Sequence, residues 1–477
     1  MAEHAASGRP SKALRRVLVP LALAQFICSF AGSNMNVMIN DMSEDLDTTV
    51  QGIQVAITIF LLVMAALMVP GGKLTDRYGR KRLFTLGLVV YGIGALLSAA
   101  APGLGILILG NSILEGIGTA LLIPPVYILT TLLFTEVTSR ARAFGAISAM
   151  GGVGAAAGPL IGGLITSAIS WRAAFVFQAL VIAVIVLLSR HVEDPLPPDP
   201  TRPFDTGGAV LSSVGLILVV SGILATDNNI WLMIGLVAVG SLVLMWFFLS
   251  MRAKERAGKE ALLSTGLFRN RTSNLGLITQ NAQWLILMGV SFTVAAYLQV
   301  VHGLDAIETG VIFTAATVGL LASSLGAERF ARRRAQRTLI MGGFVLTTAG
   351  IAVFLAMVSS AVSKESTNAW VFAPGLLLIG LGVGLMLTPS VNVVQSSFGD
   401  DLQGEISGLS RSVSNLGSSL GTAVAGTILV AGITTTPERS YGLALAVLAV
   451  IGVAGLVASA MLPRTPAPVA AAQEATA

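Results

Sequence analysis

Charge is what this chain has least of. Of 477 residues only 11% are charged, while 54% are hydrophobic. That ratio excludes a soluble globular domain and points to a chain embedded in a membrane by many spans. Cysteine is nearly absent: Cys28 stands alone, inside the first apolar run, so no intramolecular disulfide can form. The three histidines, His4, His191 and His302, fall in loops or tails. No metal-ligand cluster, phosphate-binding loop or Ser/His/Asp arrangement stands on a polar segment, so nothing points to an enzyme or to a cofactor. The net charge of +5 does not suggest nucleic acid, because the cations sit in short connections between apolar runs. The first run is too long for a cleavable signal and reads as a retained span.

What is present is fourteen apolar stretches of about 20 residues each. They lie near 17–40, 51–71, 82–101, 104–134, 142–169, 172–189, 207–225, 230–250, 273–300, 308–327, 338–360, 370–397, 405–432 and 440–462. With the N-terminus inside, all but three of the 29 Lys and Arg fall on the cytosolic side; Arg172, Lys364 and Arg439 are the exceptions. This asymmetry predicts cytosolic termini in a plasma-membrane protein. The expected organisation is a tail over 1–16, a six-helix bundle over 17–189, a linker with two extra spans over 190–272, a second six-helix bundle over 273–462, and a disordered Ala/Pro-rich tail over 463–477.

The most informative connection is Gly71 to Arg82, where Lys73, Arg77, Arg80, Lys81 and Arg82 surround the single acid Asp76. Asp76 closes a helix at its C-terminal end, where the helix dipole disfavours an anion, so a nearby cation is expected as its partner. A worn copy follows at an offset of 252, Glu328-Arg329-Phe330-Ala331-Arg332-Arg333-Arg334. The spans repeat as well. Gly116, Gly118 and Pro125 recur as Gly380, Gly382 and Pro389, and Gly145, Gly154, Gly158 and Gly163 recur as Gly408, Gly417, Gly421 and Gly426. Both blocks begin on the same side, so the repeats are parallel, an arrangement found in transporters that rock two halves around a midplane site.

These residues resemble the major facilitator superfamily, and within it the fourteen-helix drug:proton antiporters. Gly72-x-Leu74-x-Asp76-Arg77-x-Gly79-Arg80-Lys81 resembles the loop motif between spans two and three, and Gly154-x-x-x-Gly158-Pro159-x-x-Gly162-Gly163 the antiporter motif of span five. Ser170-Trp171-Arg172 opens span six as in that family. The resemblance implies an all-α polytopic fold of two six-helix bundles plus two extra helices, working by alternating access. It also implies a gate built from the loop residues Gly72, Asp76, Arg77, Gly79, Arg80 and Lys81, with Glu328 and Arg329 as the second copy. Two expected charges are missing. Ala31 and Asn40 stand where the family carries an Asp and a Pro in span one, and Ser112 and Glu115 stand where span four carries an Arg and a Gln.

Glu115 is the one acid deep in a span. A charged side chain at the bilayer centre costs at least roughly 2.5–3.5 kcal/mol, so a carboxyl that ionises only when water reaches it can carry a proton. Glu115 is the candidate for proton coupling, or a permanently protonated structural group. Polar, aromatic and Met residues in apolar spans mark the candidate cavity: Asn34, Met35, Asn36, Met38, Asn111, Tyr127, Gln280, Asn281, Gln283, Trp284 and Asn392. Three functions stay open: proton-driven export of a small amphipathic or hydrophobic compound by a monomer in contact with membrane lipids, a lipid flippase, and a sensor or scaffold on a transporter frame.

Overall fold

A computed structural model describes residues 12–134, 137–195, 197–201, 203–224, 230–331, 335–359, 369–399, 402–433 and 437–464. Regular structure among them is entirely helical. The first half holds α1 (Lys12–Asn34), α2 (Val50–Tyr78), α3 (Arg80–Ala99), α4 (Gly116–Leu133, continuing a π-helical stretch over Ile108–Glu115), α5 (Val137–Ala168) and α6 (Trp171–Ser189). Then come α7 (Thr206–Leu224) and α8 (Ile230–Arg256). The second half holds α9 (Arg271–Ala296), α10 (Ala306–Ala331), α11 (Gln336–Ser359), α12 (Ala373–Gln395), α13 (Gln403–Ile433) and α14 (Pro437–Ala460).

Thirteen of these are long and apolar enough to cross a bilayer, and α5 makes a fourteenth span through two arms that meet at 42° around residues 155–157. Pro159 accounts for the bend, since it offers no N–H to the carbonyl four residues earlier. Span one is shorter than expected. It stops at Asn34 and continues as a tight turn, Met35–Val37, and a short helix, Ile39–Asp45, so Asn40 lies beyond the span.

The sequence repeat is a packing repeat. Lipid tails are as apolar as the helices, so helices associate in a membrane by close contact at small residues rather than by hiding from water. A methyl group at Gly118 of α4 would come within 2.6 Å of the Tyr91 nitrogen on α3, and one at Gly382 of α12 within 2.5 Å of the Thr347 nitrogen on α11. Likewise Gly154 of α5 abuts the Phe26 carbonyl of α1, and Gly417 of α13 abuts the Asn281 carbonyl of α9. Each pair in one half has its counterpart in the other.

The halves meet along two seams. On one, α2 and α13 are joined by hydrogen bonds from Gln54 Nε2 to Thr422 O (3.3 Å), Ser419 Oγ to Thr58 O (3.1 Å) and Ser412 Oγ to Ala65 O (2.5 Å). On the other, Gly163 of α5 lies against the Ala306 carbonyl, and Gly310 of α10 against that of Pro159. The extra pair α7/α8 covers the first seam: Ser213 Oγ donates to Ala66 O at 3.1 Å, and Thr427 Oγ1 to Ile223 O at 3.4 Å. The far face of α8, with Trp231, Leu242, Met245, Trp246 and Leu249 exposed, is apolar as a lipid-facing surface must be. The pair is pinned at its base by Asp205, which accepts from Lys254 Nζ at 2.5 Å, Gly208 N at 2.7 Å and Leu262 N at 3.2 Å. Burial alone would push the Asp205 carboxyl up, but Lys254 and the two backbone donors hold it below the usual carboxylate range.

The repeat makes a symmetric prediction. Gly118→Val and Gly382→Val should each lower the apparent Tm of the detergent-solubilised protein, by overpacking of about 1–3 kcal/mol. Gly103→Ala, where added carbon meets nothing within 4 Å, should leave it unchanged.

Candidate functional site

A cavity of about 540 Å³, partly open to solvent, lies between the halves. From the first half it is lined by Gln25, Cys28, Ser29 and Gly32 of α1, Leu61, Met64 and Met68 of α2, Ile123 of α4 and Ala155 of α5. From the second it is lined by Trp284 and Met288 of α9 and by Arg411, Ser414, Asn415 and Ser418 of α13. The four α13 residues recur at i, i+3, i+4 and i+7, one helical face. A smaller space of about 240 Å³ shares Met68, Ile123 and Arg411 and adds Pro124, Tyr127, Ile128, Ser407 and Gly408. It extends the cavity between α4 and the start of α13, toward the face that carries the basic loop.

Hydrogen bonds fix the polar walls. Tyr127 Oη donates to Gln25 Oε1 at 3.1 Å, and Gln25 Nε2 donates to Ser29 Oγ at 3.1 Å. The Arg411 guanidinium lies over the Tyr127 ring, 4.6 Å from its centre. Behind the wall, Ser410 Oγ donates to Gln280 Oε1 at 2.8 Å, Ser390 Oγ to Gln283 Oε1 at 2.9 Å, and Asn281 Nδ2 to Val413 O at 2.9 Å. Gln280, Asn281 and Gln283 therefore serve helix–helix contacts within the second half.

At the face away from the basic loop, α1 and α9 are tied. Gln299 Nε2 donates to Asn36 O at 3.1 Å, while Asn40 N donates to Gln299 Oε1 at 3.1 Å. Met35 and Met38 are buried beside this junction, and Tyr297 anchors the α9 end among His302, Phe372 and Tyr441. At the basic face the contacts between halves are ionic. Lys73 Nζ pairs with Glu405 Oε1 at 2.9 Å, and Glu405 Oε2 accepts from Ser264 N at 2.8 Å. The loop turns at Gly79, whose φ of +94° suits a residue without Cβ. Asp194 Oδ2 then accepts from Arg80 N at 2.6 Å and Lys81 N at 3.4 Å, satisfying the free amides at the start of α3. Gly72 lies beside Pro124, and Arg77 lies against the Tyr78 ring at 5.6 Å. The side chains of Asp76, Glu328 and Arg329 lie outside the described residues.

Glu115 does not line the cavity. It is fully buried inside the first half at the end of the π-helical stretch, and both carboxyl oxygens lack a hydrogen-bond partner. The widened turn and Gly94 make room for it, since a Cβ at Gly94 would fall 2.9 Å from the Glu115 Cγ. The Tyr91 and Ser98 hydroxyls are the polar side chains that approach it. Tyr91 Oη is itself engaged with Gln178 Oε1 at 2.5 Å. Asn111 is also buried there without partners for its side chain, as is Asn34 on α1.

Of the expected cavity markers, Trp284 and Tyr127 border the cavity spaces. Asn34, Met35, Asn36, Met38 and Asn111 are buried outside the lining, and Asn392 is exposed away from it. The glycines of the antiporter motif pack α5 on α1 and α10: Gly158 against Ser33, Gly162 against Asn34 and Gly163 against Ala306. The wall residues that the sequence reading passed over are Gln25, Arg411, Ser414, Asn415 and Ser418. Arg411 was counted only as one of the Lys and Arg on the cytosolic side, although it lies within the expected span 405–432. The polar i, i+3, i+4, i+7 set was the available signal, masked by Ser410, Ser412, Ser419 and Thr422 elsewhere on the same helix.

Two pseudo-equivalent helical halves enclosing a polar-walled cavity define a membrane transporter. The Major Facilitator Superfamily model matches residues 21–422 and 288–476, and the chain belongs to that family. It is 29% identical over 415 residues to the puromycin resistance protein of Streptomyces alboniger, covering 86% of this chain and 81% of that one. It is 28% identical over 431 residues to a probable actinorhodin transporter of Streptomyces coelicolor, covering 89% and 74%. It is 27% identical over 376 residues to a multidrug efflux pump of Mycolicibacterium smegmatis, covering 79% and 73%. The fold is also similar to that in a crystal structure of a mutant peptide transporter with sulfate, at a TM-score of 0.66, 16% identity and 94% and 95% coverage.

The geometry predicts a labelling pattern. In a Cys28→Ala background, cysteine placed at Asn415 should react with a membrane-impermeant maleimide, and cysteine at Asn36 should be protected until Gln299→Ala loosens the α1–α9 junction. Equal labelling at Asn36 with and without Gln299 would contradict a closed junction.

Proposed function

We propose that this chain is a monomeric secondary active exporter of small hydrophobic or amphipathic compounds, working by alternating access in exchange for protons. The observation that carries the reading is the cavity between two pseudo-equivalent halves, tied shut by Gln299 at one face and continuing toward the other. The relatives named above, a puromycin resistance protein, a probable actinorhodin transporter and a multidrug efflux pump, support the export of small molecules. The asymmetry of Lys and Arg supports cytosolic termini in the plasma membrane, which makes the cavity one that opens to the cytosol. The bundles span 17–189 and 273–462 in this reading, and the linker over 190–272 lays α7/α8 against the seam with an apolar face toward lipid.

Loading from the cytosol and release outside require the Gln299 junction to part while the Lys73–Glu405 side closes further. Lys73 belongs to the motif loop, so the loop acts as the cytosolic latch, with Asp194 fixing the start of α3. Proton coupling is assigned to Glu115. A buried carboxyl without hydrogen-bond partners is neutral at lowest cost. Ionisation needs water beside it, and water enters only when α3 and α4 shift. Proton loss and the change of state are thereby linked.

In proteoliposomes, an imposed pH gradient should drive uptake of at least one small aromatic probe from a set of anionic, neutral and cationic dyes by the wild type, and Glu115→Gln should abolish the response to the gradient while leaving equilibrium binding of that probe within about twofold. Gradient-driven movement unchanged in Glu115→Gln would overturn the coupling role. A fluorescent phospholipid in the same vesicles should not be translocated; its transfer would favour a flippase.

A further inference from the structure

The chemistry of the cavity wall is lopsided, and the imbalance names a substrate class. Among the described residues no Asp or Glu lines the cavity, and Glu115 lies behind the wall within the first half. Its one charged side chain is Arg411, which borders both spaces and has no carboxylate within ion-pair distance among the described residues. An intramembrane guanidinium is expensive and is ordinarily paired. Here its described partner is the face of Tyr127, which attracts the cation but leaves its N–H donors without an anion.

A second observation on the same helix face agrees. Asn415, one turn on from Arg411, buries its Nδ2 donor without a hydrogen-bond partner. Gln25 has both its amide atoms engaged, with Tyr127 and Ser29, so it does not balance these donors with a free acceptor. The wall thus offers unspent donors and a positive charge on α13, and an aromatic side chain, Trp284, on the neighbouring α9. Trp284 lines the cavity half-buried, beside Met288, whose flexible thioether adapts to varied shapes.

We infer that the cavity binds flat aromatic compounds carrying an anionic group, with the anion paired to Arg411 and Asn415 Nδ2 and the ring laid against Trp284. Guanidinium pairs with planar anions in bidentate fashion, and pairing neutralises the one charge on the cavity wall among the described residues. A lipophilic cation entering the same space meets repulsion from Arg411 and finds no acid on the described wall. The inference refines the export reading by fixing the charge of its substrate, and it is testable without any gradient.

The probes are fluorescein, a planar dianion in mildly alkaline buffer, and ethidium, a planar cation of similar size. Affinity is read at equilibrium on the purified full chain in nanodiscs, from fluorescence anisotropy. The wild type should bind fluorescein at least about tenfold tighter than ethidium. Arg411→Gln should lower fluorescein affinity about tenfold without weakening ethidium, and Arg411→Lys should recover part of the loss. Equal or tighter ethidium binding by wild type would overturn the inference, as would fluorescein affinity unchanged in a monodisperse Arg411→Gln protein. If the glutamine variant does not fold, the wild-type ratio and the lysine variant decide alone. Proteoliposome uptake separates the two readings. The affinity pattern without any gradient-driven movement would sink export and keep the anion site, while movement of both probes without the pattern would do the reverse.

Discussion

Close backbone contact through glycine is the constraint on which the rest of this molecule depends. In a bilayer no hydrophobic force draws one apolar helix to another, so association rests on surfaces that approach closely and on the few hydrogen bonds that close approach permits. Gly118 of α4 against α3, Gly154 of α5 against α1 and their counterparts Gly382 and Gly417 in the second half set the internal geometry of each bundle. The seams between bundles use the same device, with side-chain hydroxyls of Ser412 and Ser419 reaching carbonyls of α2. Small-residue seams are compatible with the tilting of one half against the other that the proposed function requires. Large interlocked side chains would have fixed the halves.

Charge follows from the same medium. With so few charges, each one inside the membrane region has a distinct place. Glu115 is sealed between α3 and α4, where a π-helical stretch widens the turn, a feature that recurs at functional positions in helices. Arg411 faces the cavity. The acid and the base are kept apart and do not neutralise one another, as the roles proposed for them, a proton for one and a ligand for the other, require. The family charges missing from spans one and four are consistent with this redistribution, in which the cation of span four is gone and a cation of span thirteen borders the cavity.

Much of the fold was legible in the sequence, because the features that make it are periodic or long. Fourteen apolar stretches, the parallel repeat and the basic loop follow from hydropathy, register and charge, and the helices fall where those signals put them. The ends were less legible. Span one breaks at Asn34, and the break leaves the Asn36 carbonyl and the Asn40 amide, in the first turn of the short helix Ile39–Asp45, to pair with Gln299, a partner more than 250 residues away in the chain. The cavity was legible only in part. Polarity alone does not say which way a side chain faces, so Gln280, Asn281 and Gln283 were grouped with Trp284 although hydrogen bonds to α12 and α13 claim them. Arg411 was hidden among the many Lys and Arg that the charge asymmetry puts on one side of the membrane.

The central claim is that the halves move against each other, closing one face as the other opens. Pulsed electron–electron resonance on spin-label pairs measures it directly. One pair, at Glu44 and Val301, brackets the Gln299 junction. The other, at Arg82 and Arg269, brackets the basic face. Between acid and alkaline buffer the two distances should change in opposite senses, with the first lengthening as the second shortens. Distances that stay fixed in both pairs, or that lengthen together, would contradict the account.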